Sequence, residues 1–186
     1  MAKIELENLE CAIACCVALG IDEKLIIKSL KCISNPPGRL QKIVTKNKNI
    51  NIFVDYAHTP DALKKILINS TNKNNKPVVL FGCGGQRDKG KRALMGKVAF
   101  KYAKRAYITD DNPRFENPGK IRSQILSGCP NGIEVSNRKS AIKKAISSLK
   151  NNEILIVAGK GHEKYQMIKD QYYDFDDYKI IKKYIK

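Results

Sequence analysis

Short apolar segments alternate with amphipathic segments along most of this 186-residue chain. Four apolar runs, at 50–54, 77–81, 106–109 and 154–158, are short enough for strands and end at Gly or Asp. Helical periodicity occurs at 94–102, 138–149 and 176–184, and Thr59 with Pro60 has the cap chemistry that begins another helix. This alternation predicts a Rossmann-like α/β fold, with a mostly parallel sheet and helices on both faces.

The first 38 residues have a different pattern. Apolar positions with helical spacing run up to Gly20, and Asp22 is placed to cap a second short helix. The segment 35–38, Asn-Pro-Pro-Gly, is a strong helix breaker and the best candidate for a domain boundary. We therefore predict a helical segment at 1–38, which is too small to fold alone, and an α/β domain at 39–186.

The net charge of +17 raises the question of an anionic partner, because basic chains often bind nucleic acid or membranes. Of the 35 basic residues, 28 are Lys and seven are Arg, and they are scattered along a chain that contains 15 Asn. A nucleic-acid site would cluster its basic residues and interleave aromatic ones. The pattern favours compositional drift, and we expect neither a nucleic-acid partner nor a membrane partner.

The six cysteines form no Cys-x-x-Cys pair and have no His partner at zinc spacing, so they predict no metal site. Cys11, Cys15 and Cys16 lie on one predicted helix, where cysteine is expected to behave as a small buried hydrophobe. The pattern predicts no signal peptide, and no apolar run of about 20 residues occurs in the 186 residues. We expect a monomeric protein in a reducing cytoplasm.

Unusual loops follow the predicted strands, and in a parallel sheet the chemistry gathers at the carboxyl ends of the strands. The loop 55–61 (DYAHTPD) combines Asp55, His58 and a helix N-terminus, which suits a ribose or an anion. Local capping by Asp55 and Thr59 is an open alternative. The loop 82–92 (GCGGQRDKGKR) is a glycine turn followed by basic residues, which suits an anion, or else a tight turn with solvated charges.

The segment 111–114 (DNPR) is chemically the most specific. Pro113 stiffens it, Arg114 offers a planar fork for a carboxylate, and Asp111 with Asn112 offers acceptors for an ammonium. These groups suit one zwitterionic end of an amino acid. The segment 159–163 (GKGHE) adds a carboxylate and two glycines that allow close approach to a ligand. Taken singly, each segment is also compatible with a structural turn.

Five segments, in this order, resemble the C-terminal domain of the Mur ligases: 37–40 (PGRL), 55–61, 82–92, 111–114 and 158–166 (AGKGHEKYQ). The resemblance extends from about residue 8 to residue 177. Within the family, the combination of DNPR with GKGHE is similar to the members that add meso-diaminopimelate. No Walker loop of the form G-x-x-x-x-G-K-[ST] occurs in the 186 residues.

The resemblance implies an ATP- and Mg²⁺-dependent amide ligase of peptidoglycan synthesis, which joins meso-diaminopimelate to UDP-MurNAc-L-Ala-D-Glu. It places seven residues at diaminopimelate-binding positions: Arg87, Asp111, Asn112, Pro113, Arg114, Gly159 and Glu163. It places three residues against ATP: Arg39, Asp55 and His58. It assigns no catalytic residue and no metal ligand to this chain, because the phosphate loop, the Mg²⁺ ligands and a carbamylated lysine belong to the central domain of the family. Segment 1–38 resembles the tail of that domain, so we expect the chain alone to be inactive.

Four positions differ from the family pattern. Gln86 stands where an acidic residue is common, Ala93 replaces a proline, Asn137 replaces an Asp and Tyr178 replaces an Arg. Two alternatives stay open at this point. One is a sibling ligase of the lysine-adding or folylpolyglutamate type, which usually lacks an Arg at the end of the Asp111 loop. The other is a free-standing amino-acid-binding module without catalysis.

Overall fold

The computed structural model describes residues 3–45, 49–71 and 75–185, with side chains from Leu6 onward. The chain divides into two compact units, Met1–Pro36 and Pro37–Lys186. The division falls inside the Asn-Pro-Pro-Gly segment, two residues before the predicted boundary. The segment at which the pattern changes is thus also the segment at which the packing changes.

The first unit consists of two helices, α1 (Lys3–Ala18) and α2 (Glu23–Leu30). Asp22 caps α2, and its side chain accepts hydrogen bonds from the N–H groups of Lys24 and Leu25. No residue of α2 is buried. The expected burial of the three helical cysteines is wrong: Cys11 and Cys15 are exposed and Cys16 is half-buried. Two short helices are too small to enclose a core of their own.

The second unit is built on a six-stranded sheet with the order β1-β2-β6-β3-β4-β5. Strand β1 is antiparallel to β2 and every other pair in this sheet is parallel, as predicted. Strands β7 and β8 form a separate antiparallel hairpin. The elements are, in chain order, β1 (Gln41–Ile43), β2 (Asn51–Asp55), α3 (Pro60–Asn69), β3 (Val78–Phe81), α4 (Gly90–Tyr102), β4 (Arg105–Ile108), α5 (Pro118–Leu126), β5 (Ile133–Glu134), α6 (Arg138–Ser147), β6 (Ile154–Ala158), β7 (Tyr165–Ile168), β8 (Gln171–Asp174) and α7 (Asp177–Tyr184).

Both faces of this sheet are covered by helices. Val79 and Phe81 of β3 pack into a core with residues of α3, α4 and α5. Val78 and Leu80 point to the opposite face and pack with residues of α6 and α7. A strand that is buried on both faces needs apolar residues at every position, which explains the uninterrupted apolar run of β3. The predicted helices on both faces are confirmed.

The hydrophobic pattern does not predict β1, α5, β5 or the β7–β8 hairpin. All four residues of β8 are exposed, so the alternation that indicates a half-buried strand is missing there. Helix α4 begins at Gly90, four residues before its predicted start. No helix in the described part of the chain is both long and apolar enough to cross a bilayer.

The order of the strands decides where the loops meet. Strand β6 lies between β2 and β3, and β4 lies beyond β3. The carboxyl ends of these four parallel strands therefore share one edge of the sheet. The loops that follow Asp55, Phe81, Ile108 and Ala158 are neighbours at this edge, although up to about 100 residues separate them in sequence.

Candidate functional site

The four strand-end loops enclose a cavity of about 340 Å³. A larger cavity, of about 530 Å³, lies beside segment 113–118, but neither β2 nor β3 contributes a loop to it. The smaller cavity is therefore the candidate site. It is lined by Tyr56, His58, Gly82, Cys83, Gly84, Arg87, Asp88, Lys91, Asp111, Asn112, Arg114, Gly159 and Glu163.

Asn112 lies in the hydrogen-bond network of this cavity and is 4% exposed. Its Oδ1 accepts hydrogen bonds from Nζ of Lys160 and from the backbone N–H of Met167, both at 2.9 Å. Its Nδ2 donates to Oε2 of Glu163 at 3.0 Å. An amide oxygen has two lone pairs, and both are used here within the protein. This contradicts the expectation that Asn112 offers its oxygen to a ligand ammonium.

Arg114 is held by the β7–β8 hairpin. Its N–H donates to the carbonyl oxygen of Met167 at 3.2 Å, and its own carbonyl accepts from the N–H of Lys169 at 2.8 Å. Its φ of +51° is uncommon for a residue with a side chain and persists because these bonds hold it. Nη1 of the guanidinium donates to the carbonyl oxygen of Gly85 at 2.8 Å. Arg114 is half-buried and lines the cavity, where its planar fork suits a carboxylate.

Three carboxylates line the same cavity, and those of Asp111 and Glu163 lie close to Lys160, whereas Asp88 is on the glycine loop. Oδ1 of Asp111 accepts from the N–H of Asn112 at 2.7 Å. Oδ2 of Asp111 faces Gly159, where an added Cβ would lie 3.0 Å from it. Gly159 has a φ of +107°, so this position excludes a side chain both by its conformation and by its neighbour. Nζ of Lys160 lies 3.3 Å from Oε2 of Glu163 and 3.9 Å from Oδ1 of Asp111.

The glycine loop that follows β3 passes very close to segment 111–114. An added Cβ at Gly85 would lie 1.9 Å from the carbonyl oxygen of Pro113. The N–H of Gly85 donates to the carbonyl oxygen of Asn112 at 2.8 Å. The missing side chain therefore lets the two loops pair through their backbones, which fixes both walls of the cavity relative to each other.

Arg92, from the basic run of this loop, is fully buried and does not line the cavity. Its guanidinium donates to both carboxylate oxygens of Glu116, at 2.9 and 3.0 Å, and to the carbonyl oxygen of Gly84 at 3.2 Å. These bonds from Arg92 hold the pKa of Glu116 at about 2, below its usual range. Arg92 thus stabilises the loops, whereas Arg87 and Lys91 of the same run line the cavity.

Cys83 is the thiol of this cavity. Burial raises its pKa to about 12. The thiol therefore stays protonated near neutral pH, and it packs with its sulfur 3.6 Å from that of Met95. We conclude that Cys83 is a packing residue, because the thiolate is the nucleophilic form of cysteine.

A second group of side chains lies around Tyr56, at the end of β2. The guanidinium of Arg39 lies over the Tyr56 ring, 5.1 Å from its centroid. The imidazoles of His58 and His162 lie with their centroids 4.7 and 5.3 Å from that of the same ring. Arg39, His58 and His162 are exposed, so their polar atoms are accessible to a ligand.

Asp55 holds the backbone next to this group in place. It is 9% exposed, and its carboxylate accepts hydrogen bonds from the backbone N–H groups of Ala57, at 2.7 Å, and Leu40, at 2.8 Å. These bonds tie the segment next to Arg39 to the end of β2. Thr59 caps α3 as the sequence predicts, accepting from the N–H of Ala62.

Residues 38–161 match the sequence profile of the glutamate ligase domain of the Mur ligases. This chain belongs to the Mur ligase family. The match begins in the Asn-Pro-Pro-Gly segment and ends within the Gly159–Glu163 loop, so it covers three strand-end loops completely and the beginning of the fourth.

Two curated relatives and one solved structure bear the same name, UDP-N-acetylmuramoyl-L-alanyl-D-glutamate–2,6-diaminopimelate ligase. The protein of Rickettsia rickettsii is 46% identical in an alignment of 191 positions that covers 100% of this chain and 39% of that protein. The protein of Rickettsia montanensis is 49% identical in an alignment of 166 positions that covers 87% of this chain and 34% of that protein. The solved structure has a TM-score of 0.75 at 34% identity, covering 100% of this chain and 39% of the other. The chain thus spans less than half the length of the relatives it matches.

This Mur ligase domain brings most of the predicted site residues together. Six of the seven residues predicted to bind the amino acid line the cavity, whereas the seventh, Pro113, lines the larger neighbouring cavity. Of the residues predicted to contact ATP, His58 lines the cavity, and Arg39 lies in the group around Tyr56. The ligands of these residues stay predictions.

The Mur ligase site also depends on buried charges that the sequence does not single out. Arg138 and Asp177 are each 1% exposed and form a two-pronged ion pair, with distances of 2.9 and 2.7 Å. Nη2 of Arg138 also donates to the carbonyl oxygen of Ala158, directly before Gly159. Burial alone would lower the pKa of Arg138, and the Asp177 carboxylate outweighs it and raises this pKa. The only sequence signal for Lys160 is its place two residues after a buried strand.

Two departures from the Mur ligase pattern have a visible structural role. Asn137 caps α6 by accepting from the N–H of Ser140 at 2.9 Å, which an Asp would do equally well. Gln86 has a φ of +51°, and its backbone N–H donates to Glu116. Its side chain is exposed, so the acidic residue common at this position is not needed for the turn.

Mg²⁺ belongs to the chemistry that the family resemblance implies. In the described segments 3–45, 49–71 and 75–185, no group of three or more His, Cys, Asp or Glu side chains is placed to hold a metal ion. The side chains of these described segments therefore do not fit a metal centre of their own.

Proposed function

We propose that this chain is the amino-acid-recruiting domain of an ATP-dependent ligase that adds meso-diaminopimelate to UDP-MurNAc-L-Ala-D-Glu, a cytoplasmic step of peptidoglycan synthesis. The names of relatives that are 46% and 49% identical support this proposal. The chemistry of the cavity supports it independently. Because the chain spans 39% of the first of these relatives, the activity is proposed for the complete enzyme.

The observation that carries the proposal is the combination of Arg114, Asp111 and Glu163 in one cavity of about 340 Å³. A guanidinium fork complements a carboxylate, and the two carboxylates complement an ammonium. Together they match one zwitterionic amino-acid end. Meso-diaminopimelate has two such ends, so one can be held here while the amine of the other reacts.

In this proposal the residues of the cavity bind and orient the substrate. The reaction joins the diaminopimelate amine to the D-glutamate carboxylate after that carboxylate has been activated as an acyl phosphate by ATP. The neutral amine nitrogen attacks the carbonyl carbon, and the bond from carbon to the phosphate oxygen breaks. Phosphate leaves, and the nitrogen loses one proton to solvent as the amide forms. Holding the far end of the amino acid fixes the direction of the attacking amine, which removes an entropic part of the barrier.

For the ATP side we propose the group around Tyr56. The exposed guanidinium of Arg39 and the exposed imidazole of His58 suit a ribose hydroxyl, a base edge or a phosphate oxygen. Asp55 positions Arg39 through its bonds to the adjacent backbone. These groups border the amino-acid cavity through His58, which would bring the two substrates of the ligation side by side.

Arg114 also favours this function over the alternatives. A lysine-adding ligase has to bind an ammonium at the far end but no carboxylate, so a guanidinium at that end is of no use to it. A folylpolyglutamate ligase has to bind glutamate, which has no far ammonium for Asp111 and Glu163. A free-standing binding module would use the same cavity without a ligation partner.

Calorimetric titration of the chain with meso-diaminopimelate, L-lysine and L-glutamate tests the proposal, with L-alanine as the control ligand. We expect meso-diaminopimelate to bind at least about tenfold more tightly than the others, because it alone offers both a far carboxylate and a far ammonium. Tighter binding of lysine or glutamate would point to the corresponding sibling ligase. Equal binding of all four ligands would contradict the assigned site.

A further inference from the structure

Lys160 is a buried cation at the edge of the amino-acid cavity. Its side chain is fully buried, and Nζ lies 2.9 Å from Oδ1 of Asn112 and 3.3 Å from Oε2 of Glu163. The same Nζ lies 3.9 Å from Oδ1 of Asp111 and 5.6 Å from the centroid of the Tyr165 ring. A buried ammonium is costly unless partners surround it, so its place among three polar cavity residues calls for a functional explanation.

We propose that Lys160 is a positioning residue that, together with the backbone N–H of Met167, holds the Asn112 amide with its nitrogen toward the substrate. This inference rests on the proposed function, because the substrate is taken to be a zwitterionic amino-acid end. Lys160 has no described hydrogen bond outside the cavity network, so its effect on a ligand acts through Asn112 and Glu163.

The orientation of Asn112 follows from the chemistry of its neighbours. The ammonium of Lys160 and the backbone N–H of Met167 are donors only, and both contact the same side-chain atom of Asn112 at 2.9 Å. That atom has to be the oxygen. The nitrogen therefore points toward Glu163, the cavity side of the network, where it donates one hydrogen at 3.0 Å. Its second hydrogen makes no bond to the described residues.

This orientation divides the cavity into two chemical halves. Asn112, which presents an N–H, and Arg114, which presents a guanidinium, both line the cavity, and in this proposal they are its donors for a carboxylate. Asp111 and Glu163 form an acceptor pair for an ammonium. Without Lys160, only the N–H of Met167 and the carboxylate of Glu163, among the described residues, would hold the amide. It would then turn more readily, and a turned amide would present its oxygen instead of an N–H to the substrate carboxylate.

Lys160 also balances the charge of the acceptor pair. The carboxylates of Asp111 and Glu163 repel each other, and the ammonium of Lys160, 3.9 and 3.3 Å from them, offsets this repulsion. Asp111, Glu163 and Lys160 together carry a net charge of −1, which the ammonium of a bound substrate neutralises. Removing Lys160 leaves a site with stronger attraction for an ammonium and with a weakened carboxylate half.

The first test needs no ligand. In ¹⁵N-labelled protein, the side-chain amide signals of Asn112 are assigned with an Asn112→Asp variant, and their hydrogen exchange is measured. We expect Lys160→Met to shift these signals and to speed their exchange by about tenfold or more, because the Asn112 oxygen loses one of the two donors that hold the amide in place. The matched control is Lys164→Met, which removes an exposed lysine four residues away. Unchanged Asn112 signals in a folded Lys160→Met protein would overturn the inference.

The second test uses two ligands that each carry only one of the two charged groups at the far end of meso-diaminopimelate. 2-Aminopimelate has the far carboxylate without the far ammonium, and L-lysine has the reverse. We expect Lys160→Met to weaken binding of meso-diaminopimelate and 2-aminopimelate by roughly tenfold, with lysine binding unchanged or stronger. General damage to the fold would weaken all three ligands alike, and this result would contradict a positioning role.

Asn112→Asp gives the same information if Lys160→Met does not fold, because it keeps an acceptor for Lys160 and replaces the inward N–H by oxygen. We expect it to weaken both far-carboxylate ligands and to spare lysine. Equal retention of all three would overturn the inference. If the wild-type chain binds none of the three ligands, the proposed function is contradicted, and the ligand-free exchange experiment still decides the role of Lys160.

Discussion

Nη1 of Arg114 donates a hydrogen bond to the carbonyl oxygen of Gly85 at 2.8 Å. This bond joins the loop after β3 to the loop after β4, and the N–H of Gly85 returns a bond to the carbonyl of Asn112. The direction of the guanidinium is therefore set by the backbone of Gly85, which is itself held by its hydrogen bond to Asn112. Because one donor nitrogen of Arg114 is engaged with the protein, the remaining donors keep a defined direction toward a ligand.

Gly85→Ala tests whether this close approach is needed. Its Cβ would lie 1.9 Å from the carbonyl oxygen of Pro113, so one of the two loops has to move. We expect a loss of stability of about 1–3 kcal/mol in chemical denaturation, together with weaker binding of meso-diaminopimelate. Gly90→Ala is the control, because the nearest contact of its Cβ is the carboxylate of Asp88 at 3.2 Å, on an exposed side chain. Equal effects of the two substitutions would show that the interlocking of the loops is unimportant.

The low pKa of Glu153 makes the free energy of unfolding depend on pH in the acid range. Burial alone would raise its pKa, but hydrogen bonds from Arg105, the backbone of Lys150 and Lys104 lower it to about 2. A carboxylate with a depressed folded-state pKa stabilises the fold above its ordinary pKa of 4.5, and this contribution is lost as the pH falls from 4.5 toward 2. The free energy of unfolding should therefore decrease across this range.

Glu153→Gln should lower the stability at pH 7 and flatten the acid decrease, since it removes the titrating group. Glu10→Gln, at an exposed position on α1, is the control and should leave the curve unchanged. The measurement is urea denaturation at intervals between pH 7 and pH 2. The assignment fails if the variant and the wild type have parallel curves.

For the buried pair of Arg138 and Asp177, we expect removal of one partner to lower the free energy of unfolding much more than removal of both. Asp177→Asn leaves a buried guanidinium without its counter-charge and should cost about 3–5 kcal/mol of unfolding free energy. The double variant Arg138→Met with Asp177→Leu should recover much of this loss, because no unpaired charge remains. Asp170→Asn, at an exposed position in the hairpin turn, is the matched control. A loss below about 1 kcal/mol for Asp177→Asn would show that water reaches the pair.

The architecture was predictable because it depends on local patterns. Apolar runs of the right length gave four of the five parallel strands, and Thr59–Pro60 gave the start of α3. The same cap chemistry, Asn117–Pro118, begins α5 and could have predicted the start of this helix. The residues that follow have no clear helical period of apolar positions, so the hydrophobic pattern does not predict it. The exposed hairpin left no such signal, because neither of its strands contains a buried residue.

The site was predictable as a set of loops but not as a hydrogen-bond network. Parallel strands bring their carboxyl ends together, so Asp111 and Glu163 could be placed in one cavity from sequence. The partners of Asn112 could not, because Lys160 lies 48 positions away along the chain and Met167 lies 55 positions away. Lysine is mostly exposed in proteins, so the full burial of Lys160 runs against the ordinary expectation.

The central claim is that Arg114 selects an amino acid with a far carboxylate, and the most direct measurement is the ratio of the Kd values for L-lysine and meso-diaminopimelate. Losing a forked contact between a guanidinium and a carboxylate should cost roughly 2–4 kcal/mol. Arg114→Ala should therefore weaken binding of meso-diaminopimelate by about 30-fold or more, change lysine binding little, and bring the ratio close to one. Arg114→Lys keeps the charge without the fork and should recover only part of the preference. An equal loss for both amino acids would show that Arg114 supports the fold or the shared end of the substrate, and would contradict the account.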